Sequence, residues 1–458
     1  MKFTRFLLLT GVVLMLILSA CGPAAIVIPP TASMIPAINT AIPAMATATP
    51  VPPVTCAQPV KVGLITSITS GFSHYGASMM RSFMLGMEYA TGSAGSVGNI
   101  FDITKTQENT FTLGDCQIMI YVADDKSLQP TVTAAAQDLI TNKGVNILVG
   151  TVNMYSMPTL QTIVAQNHIP LIVAPAAGDD ITGVNFNEYS FPVSPNFYQE
   201  AMNICTYLTT KSSTFVQIGP DIPYGHTYAT DFRDACTFDG GTFVANDIFP
   251  STTVTDYSPY VQQVKNSGAK AWLLNPAAGS FIQILKAAAD LGLNQSMVVG
   301  TTFDDNAVMA RFYQNGIGIT SGILYHYTVP QNPINDWLVA QTTARYGVPP
   351  DLFDSEGMNA AILLVKALQT THANVTPSAL IAAMEGMTFN GPKGQIYIRP
   401  EDHVAIQDMY ILKLTNLTDP AFKFFDTIRT NRPEPPCLLP ASLKARCGAL
   451  PYGSLSGK

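Results

Sequence analysis

Short apolar runs alternate with amphipathic stretches along most of this chain. Runs typical of buried strands occupy residues 60–65, 117–122, 146–149 and 170–174. Between them, apolar residues recur at helical spacing, as they do from Met80 to Met87, and these methionines are predicted to fill a core. The alternation predicts β-α-β-α units, and therefore a parallel sheet with helices on both faces.

The same pattern restarts after residue 195. Further strands are predicted at 214–218, 242–247, 271–274 and 297–299, and helices begin near Ser258 and Ser280. This predicts a second α/β lobe. Helices and strands continue to about residue 414, so the chain has to return to one or both lobes. Residues 431–458 are rich in proline and are predicted to be an irregular tail.

Charged residues make up only 12% of the chain, which fits parallel strands that are buried on both faces. The net charge is −7 and no basic run follows the N-terminus, so a basic patch for nucleic acid is excluded. The sequence contains no nucleophile elbow, Walker loop or HExxH helix. We therefore predict a protein that is not an enzyme and that needs no cofactor.

The N-terminus has the features of an export signal. Lys2 and Arg5 precede an apolar stretch at 6–18, which is too short to span a membrane comfortably. The small residues before Cys21 resemble a bacterial lipobox, and the resemblance implies cleavage after residue 20 and a lipid on Cys21; the alternative is ordinary secretion. Residues 21–56, rich in Pro, Ala and Thr, are predicted to be a tether from this anchor.

Six cysteines remain after Cys21, and an even number in an exported chain predicts three disulfides. One pair precedes two strands that should start side by side, and the other pairs are local in sequence. The candidate pairs, with other connectivities open, are Cys56 with Cys116, Cys205 with Cys236, and Cys437 with Cys447. No CxxC spacing or histidine cluster accompanies them, so no metal site is predicted.

Several short motifs occur in order between about residues 60 and 415. They are Val-Gly-Leu-Ile at 62–65, Tyr-Gly at 75–76, Gly-Val-Asn-Ile-Leu-Val-Gly at 144–150, Thr-Asp-Tyr-Ser-Pro-Tyr at 255–260 and Gly-Pro-Lys-Gly at 391–394. Together, in this order and spacing, they resemble the branched-chain amino acid binding proteins. These are type I periplasmic solute-binding proteins of ABC transporters.

The resemblance implies an α/β fold with two Rossmann-like lobes, whose parallel sheets are joined by a hinge of three crossovers. The crossovers are expected near 191–195, 326–330 and 403–406. Lobe one would then be 57–192 plus 329–404. Lobe two would be 193–328 plus 405–430.

Ligands of such sheets bind beyond the carboxyl ends of the strands. In the family, first-lobe loops bind an amino acid's carboxylate through hydroxyls and backbone N–H groups, and a second-lobe acid holds the ammonium. The resemblance places candidate ligand-binding residues on both lobes. They are Tyr75, Asn153, Met154, Ser156, Ala177 and Gly178 on the first lobe, and Tyr224, Thr302 and Asp304 on the second.

The chain departs from the family's pattern at three of these positions. Met154 stands where the family often has a serine, Gly178 where it has a hydroxyl residue, and Thr302 near the place of a glutamate. These departures leave the identity of the ligand open. Ser156 could replace the missing serine or cap the following helix, and Gly178 could be an ordinary turn residue.

Other assignments also keep two readings. Tyr75 could contact ligand or lie on the cleft rim, and Tyr224 could stack on ligand or pack inside the lobe. Asp304 could pair with a cationic group, or it or its neighbour could cap a helix. Asp124 and Asp125 follow a strand and precede a helix, and are predicted to cap that helix rather than to bind a metal.

The sequence thus predicts an extracytoplasmic solute-binding lipoprotein of an ABC importer. A small polar molecule, an amino acid or an amide-like compound, would bind between the lobes of a monomer. The expected partners are this ligand, an ABC permease and, through the lipid on Cys21, the membrane. The alternative is a sensory module that reports ligand occupancy to a membrane receptor.

Overall fold

The computed structural model describes residues 54–97, 102–275 and 278–457. The predicted signal peptide, Cys21 and nearly all of the tether lie outside these residues. No helix in the described ranges is both long enough and apolar enough to cross a membrane.

Sixteen strands are present in the described residues. They are β1 (Val60–Thr66), β2 (Glu108–Leu113), β3 (Cys116–Asp124), β4 (Ile147–Val149), β5 (Leu171–Val173), β6 (Ser190–Pro192), β7 (Thr214–Ile218), β8 (Thr242–Phe243), β9 (Ala271–Leu274), β10 (Val298–Gly300), β11 (Thr320–Ile323), β12 (Thr388–Gly391), β13 (Gly394–Ile398), β14 (Ala405–Ile406), β15 (Met409–Leu414) and β16 (Phe425–Asn431).

The helices of the described residues connect these strands. They are α1 (Ser73–Thr91), α2 (Gln129–Asp138), α3 (Met157–Asn167), α4 (Asp179–Thr182), α5 (Phe197–Leu208), α6 (Pro223–Phe238), α7 (Ser258–Asn266), α8 (Ala278–Asp290), α9 (Leu293–Ser296), α10 (Asn306–Phe312), α11 (Pro333–Tyr346), α12 (Asp354–Thr370) and α13 (Pro377–Met384).

The first lobe is built on a six-stranded sheet in the order β2-β3-β1-β4-β5-β6, parallel except at β2. Because side chains alternate across a strand, β1 contributes to both faces. Val62 and Leu64 pack with α1 and α12, and Ile65 packs with α2 and α3. The prediction of a sheet covered on both faces is confirmed here.

The second lobe is built on a parallel four-stranded sheet in the order β10-β9-β7-β8. Helices α5 and α6 cover one face, where Phe215 and Leu273 are buried. Helices α7 and α8 cover the other, where Val216 and Trp272 are buried. A bridge between Thr302 and Gly322 continues this lobe into the antiparallel sheet β11-β15-β16.

The chain returns to the first lobe after the second has formed. Helix α12 packs along α1 in the core of the first lobe, and the antiparallel sheet β12-β13-β14 packs beside α12. Strand β15 then pairs with β11 of the second lobe. This order of visits is the one that the type I periplasmic binding protein fold implies.

All three predicted disulfides are present: Cys56–Cys116, Cys205–Cys236 and Cys437–Cys447. The first ties the segment before β1 to the start of β3, as neighbouring parallel strands should allow. The second joins α5 to α6 within the second lobe. The third closes a short loop in the tail.

Some predicted elements differ from the structure. The strand predicted at 242–247 ends at Phe243, because the chain beyond it makes only an isolated bridge, at Ile248. Strand β2 was not predicted, since its residues are exposed or half-buried apart from Phe111 and Leu113. Asp124 and Asp125 do not cap α2, whose N-cap residue is Leu128.

Candidate functional site

The two lobes meet directly at Tyr75 and Asp304. Tyr75 lies in the first turn of α1, and Asp304 lies in the loop that follows β10. The Tyr75 hydroxyl donates a hydrogen bond to Asp304 Oδ1 at 3.0 Å. Beside it, His74 Nε2 lies 3.7 Å from Asp305 Oδ2. Two predicted residues from opposite walls are therefore in contact.

Burial shifts the pKa values at this contact. It raises the pKa of Asp304 to about 6, and the negative charge of Asp305 raises it further. Burial likewise raises the pKa of Tyr75, with Asp304 as the next cause. Of the two aspartates, Asp305 is the helix cap, because its Oδ1 accepts the Val308 N–H at 2.9 Å. Asp304 is thus the member of the pair that accepts a hydrogen bond from the first lobe.

A fully buried carboxylate, Asp125, organises the loops of the first lobe. Its Oδ1 accepts the Ser67 hydroxyl and the Ser127 N–H, both at 2.8 Å, and its Oδ2 accepts the Thr151 hydroxyl. Its neighbour Asp124 accepts the Ile68 N–H at 2.8 Å. These aspartates therefore connect the loops after β1, β3 and β4, which is the edge where the sheet's ligand is expected.

The loop after β4 carries three predicted residues with different environments. Asn153 Nδ2 donates to the Ser127 carbonyl at 2.8 Å, and Asn153 Oδ1 accepts the Tyr155 N–H, so its side chain shapes the loop. Met154 is half-buried. Ser156 is buried, makes no capping bond to α3, and its hydroxyl has no hydrogen-bond partner among the described residues.

The loop after β5 places Ala177 and Gly178 beside the first crossover. They line a recess of about 10 Å³ together with Asn196, Gln199 and Ala405. A recess of this size has room for about one water molecule. Helix α4, which begins after Gly178, has only four residues.

Tyr224 belongs to an aromatic cluster on the second lobe. Its ring lies 5.0 Å from that of Phe197 and 5.5 Å from that of Tyr228. Met154 and Ala177 of the first lobe pack against the same cluster. The structure thus brings Met154, Ala177 and Tyr224 together at the boundary of the two lobes, while Tyr75 and Asp304 meet elsewhere along it.

Thr302 contacts Glu200, a residue that was not predicted from the sequence. Its hydroxyl donates to Glu200 Oε2 at 2.9 Å, and the Tyr228 hydroxyl donates to the same oxygen. Glu200 is 6% exposed and lies in α5, next to the first crossover. Among the described residues it has no ion-pair partner. The only signal in the sequence is that Glu200 is the sole charged residue of α5.

Burial raises the pKa of Glu200 to about 7, although the hydrogen bonds from Tyr228 and Thr302 lower it. The negative charge of Asp179 adds to the rise and the positive charge of Lys393 opposes it. Lys393 is itself buried, and the charge that raises its pKa most is that of Glu356. It therefore does not form an ion pair with Glu200 alone. Within residues 54–97, 102–275 and 278–457, Glu200 is therefore an acid with hydrogen-bond donors to one oxygen and no paired cation.

The boundary between the lobes holds further buried acids. Asp179 and Asp231 interact with each other, and burial raises the pKa of both. Burial also raises the pKa of Asp351 to about 8. Arg81, a nearby cation, is already bound to Asp354. The described part of this boundary thus has an excess of carboxyl groups.

Comparison with known proteins gives a consistent family. A family model described as periplasmic binding protein matches residues 59–419. Leu/Ile/Val-binding protein homolog 6 of Brucella melitensis is 24% identical over 376 residues, which covers 79% of this chain and 89% of that protein. Homologues from Brucella abortus match equally well.

Solved structures agree on the fold. An ABC-type branched-chain amino acid transporter protein from Rhodopseudomonas palustris superposes with a TM-score of 0.71 at 27% identity, covering 81% of this chain and 96% of that one. A solute-binding protein from the same organism, in complex with 4-hydroxybenzoate, superposes with a TM-score of 0.68 at 20% identity, covering 82% and 98%.

Proposed function

This chain belongs to the family of periplasmic binding proteins, and on that premise we propose that it captures a small polar ligand bearing a cationic nitrogen and delivers it to an ABC importer. The family model spans residues 59–419. The family consists of extracytoplasmic substrate-binding proteins of ABC transporters, which are not enzymes. The proposal adds the kind of ligand, the residues and the importer.

The ligand would bind between lobe one (57–192 plus 329–404) and lobe two (193–328 plus 405–430). The hydrogen bond between Tyr75 and Asp304 supports a closed arrangement in which both walls contribute. A ligand shifts an open protein toward this arrangement only through contacts that it makes preferentially when the lobes are closed. Groups that approach each other across the boundary are therefore the best candidates for ligand contacts.

The observation that carries the choice of ligand is Glu200. Its carboxyl group is buried, accepts two hydroxyl hydrogen bonds and has no ion-pair partner in the described chain. A buried carboxylate needs an opposite charge to remain ionised at low cost. An ammonium group on the ligand would supply that charge, with Tyr224 beside it offering a ring face for a cation.

The first-lobe wall would hold the polar end of the ligand. The Ser156 hydroxyl is buried without a partner among the described residues, so it is available to donate a hydrogen bond. Ligands with both an ammonium and a hydrogen-bond acceptor, such as amino acids and their amides, fit these two walls. Benzoates, which carry no cation, would leave Glu200 unpaired.

The remaining parts of the proposal concern the membrane. Cleavage before Cys21 and attachment of a lipid would hold the protein at the cell surface, with the tether giving it reach toward the permease. The mature protein should then partition into detergent, and Cys21→Ser should abolish that partitioning. A mature chain that starts at another residue and stays in the aqueous phase would remove the anchor from the proposal.

A thermal-shift screen tests the ligand class. Amino acids, amides, polyamines and aromatic acids are compared at equal concentration, and a true ligand at 100 times its Kd should add roughly 2.7 kcal/mol to the free energy of unfolding. We expect stabilisation by amine-bearing compounds only, and its loss in Glu200→Gln. Glu188→Gln, at an exposed glutamate, is the matched control. Stabilisation by benzoates alone would refute the cationic ligand.

The family's fold also serves sensory modules, which signal occupancy to a receptor. The two roles share the ligand site and differ in the partner. Uptake of the labelled ligand by cells with and without the protein separates them. Uptake that is independent of the protein would point to sensing.

A further inference from the structure

The C-terminal tail contacts both lobes. The segment 432–457, which we call the strap, lies beyond the residues that the family model matches. It leaves the second lobe at the end of β16, whose last residue pairs with β15. The family match therefore does not account for the contacts of the strap.

The middle of the strap is bound to the first lobe through Arg446. The Arg446 guanidinium donates to the Glu401 carbonyl at 2.6 Å and to the Pro400 carbonyl at 2.7 Å, and it also pairs with Glu385. It stacks over the ring of Phe186 at 5.0 Å. The Glu385 carboxyl accepts from His403 and Arg446, and these contacts lower its pKa to about 2.

A second first-lobe contact precedes the disulfide loop. Arg399 Nη1 donates to the Pro435 carbonyl at 2.8 Å, and Arg399 is itself buried and paired with Asp402. Cys437, Leu439 and Cys447 form a small apolar cluster with Phe186 packed against it. The disulfide loop is thus fixed to the first lobe at several points.

The end of the strap is bound to the second lobe. The Leu455 N–H donates to Asp234 Oδ2 at 2.8 Å, and Asp234 lies in α6. Tyr198 of α5 donates to the same oxygen. The Leu455 side chain packs against the cluster formed by α5 and α6. One strap therefore has separate attachments on the two lobes.

The chain between the disulfide loop and Leu455 is short. The Cys437 N–H donates to the Pro451 carbonyl at 2.8 Å, and the Gly453 N–H donates to the Cys437 carbonyl at 3.0 Å, so residues 451–453 are held against the disulfide loop. Only Ser454 then lies between that loop and Leu455. Since one residue spans at most about 3.6 Å, larger separation of the lobes at this point must break an attachment.

We propose that the strap acts as a closing restraint, which favours the arrangement in which the two lobes are in contact and limits their opening. Opening would require loss of the Leu455–Asp234 contact or detachment of the disulfide loop. The restraint would lower the free-energy cost that a ligand must meet to close the lobes, and so raise its apparent affinity. The inference takes the two lobes from the proposed function, but its test needs no ligand.

Two truncations make a matched pair for this test. Ending the purified chain after Tyr452 removes Leu455, whereas ending it after Ser456 keeps Leu455 and all its contacts. The radius of gyration of the ligand-free proteins is measured by small-angle scattering. We expect a larger radius for the truncation after Tyr452 and the full-length value for the truncation after Ser456. Equal radii for all three proteins would overturn the proposal.

A second variant tests the same attachment in the full chain, in case the shorter truncation fails to fold. Asp234→Ala removes the acceptor of the Leu455 N–H, and Tyr198→Phe removes only the tyrosine's bond to Asp234. We expect Asp234→Ala, and not Tyr198→Phe, to enlarge the radius and to abolish protection of the Leu455 amide from hydrogen exchange. An unprotected Leu455 amide in the wild type would show that the strap is detached in solution, and would also overturn the proposal.

Discussion

Two buried carboxyl groups, Asp125 in the loops of the first lobe and Glu200 in a helix of the second, differ in how well the protein satisfies their oxygens. Asp125 on the first lobe accepts hydrogen bonds on both oxygens from Ser67, Ser127 and Thr151. Glu200 on the second lobe accepts on one oxygen, and burial raises its pKa to about 7. One acid is satisfied within the protein, and the other is not.

Under the proposed function, the difference separates a carboxylate that holds the loops in place from one that recognises the ligand. A carboxylate with all its hydrogen bonds made inside one lobe fixes the positions of three loops, and its charge is not available to a ligand. A bound cation stabilises the ionised form of an acid most when burial otherwise disfavours that form. On this view Asp125 determines the shape of the first wall, and Glu200 determines what the second wall accepts.

Removal of Asp125 should have the largest effect. Asp125→Ala leaves the Ser67 hydroxyl, the Thr151 hydroxyl and the Ser127 N–H without their acceptor, and each buried donor left unsatisfied costs about 1–3 kcal/mol. Urea unfolding measures the change in free energy. Asp138→Ala, at an exposed aspartate of the same lobe, should stay within about 0.5 kcal/mol of the wild type. Similar stability for both variants would mean that Asp125 does not hold the loops in place.

A smaller effect, with a defined pH dependence, is expected at Glu200. The folded state raises the pKa of Glu200 from 4.5 to about 7, so between these pH values the folded protein binds a proton that the unfolded chain does not. The free energy of unfolding that this group contributes therefore falls as the pH rises from 4.5 to 7, by on the order of 3 kcal/mol. Glu200→Gln should remove that fall while losing the amine ligand.

The same pH range gives a check on the ligand. Groups that face Glu200 include Tyr224, Tyr228, Asp179 and Lys393, and the pKa of Lys393 is lowered to about 8 by burial. Binding of an ammonium should ionise Glu200 and release a proton near pH 6, which calorimetry in buffers of different ionisation enthalpy detects. No proton release in the wild type, or equal release in Glu200→Gln, would contradict the assignment.

The smallest effect is expected at the contact between the walls. Tyr75→Phe removes one hydrogen bond to Asp304 and keeps the ring packed on Phe353, so it should cost about 1 kcal/mol of closed-state stability. Tyr155→Phe, at a tyrosine that is 58% exposed, is the control. Scattering of the ligand-free protein should show more opening in Tyr75→Phe alone. If urea unfolding showed that Tyr75→Phe lowers the free energy of unfolding as much as Asp125→Ala does, the two residues would not differ in their structural roles.

The fold could be predicted because buried parallel strands carry a strong local signal. Strands β7 and β9 begin and end at the predicted residues, since Thr214–Ile218 and Ala271–Leu274 are short apolar runs between polar loops. Strand β2 was missed because pairing with β3, rather than its own apolar content, makes it a strand. The disulfides followed from strand order and from closeness in sequence.

The candidate site was less accessible to sequence reasoning. The resemblance gave Tyr75, Tyr224 and Asp304 as candidates close to strand ends, but it did not give Glu200, which only the fold brings to Thr302. In the family that the chain resembles, a glutamate lies near position 302, but this chain has Thr302 there. Which acid approaches that threonine depends on the crossing of α5 over the sheet, which no local pattern encodes.

The order of the disulfides has a consequence for how the chain matures. Each cysteine of the described chain is bonded to the next one along the sequence, with separations of 60, 31 and 10 residues. A chain that crosses a membrane from its N-terminal end exposes both members of one pair before the first member of the next. If the chain is exported in this direction and oxidation keeps pace with translocation, the six described cysteines meet their native partners in the order in which they emerge.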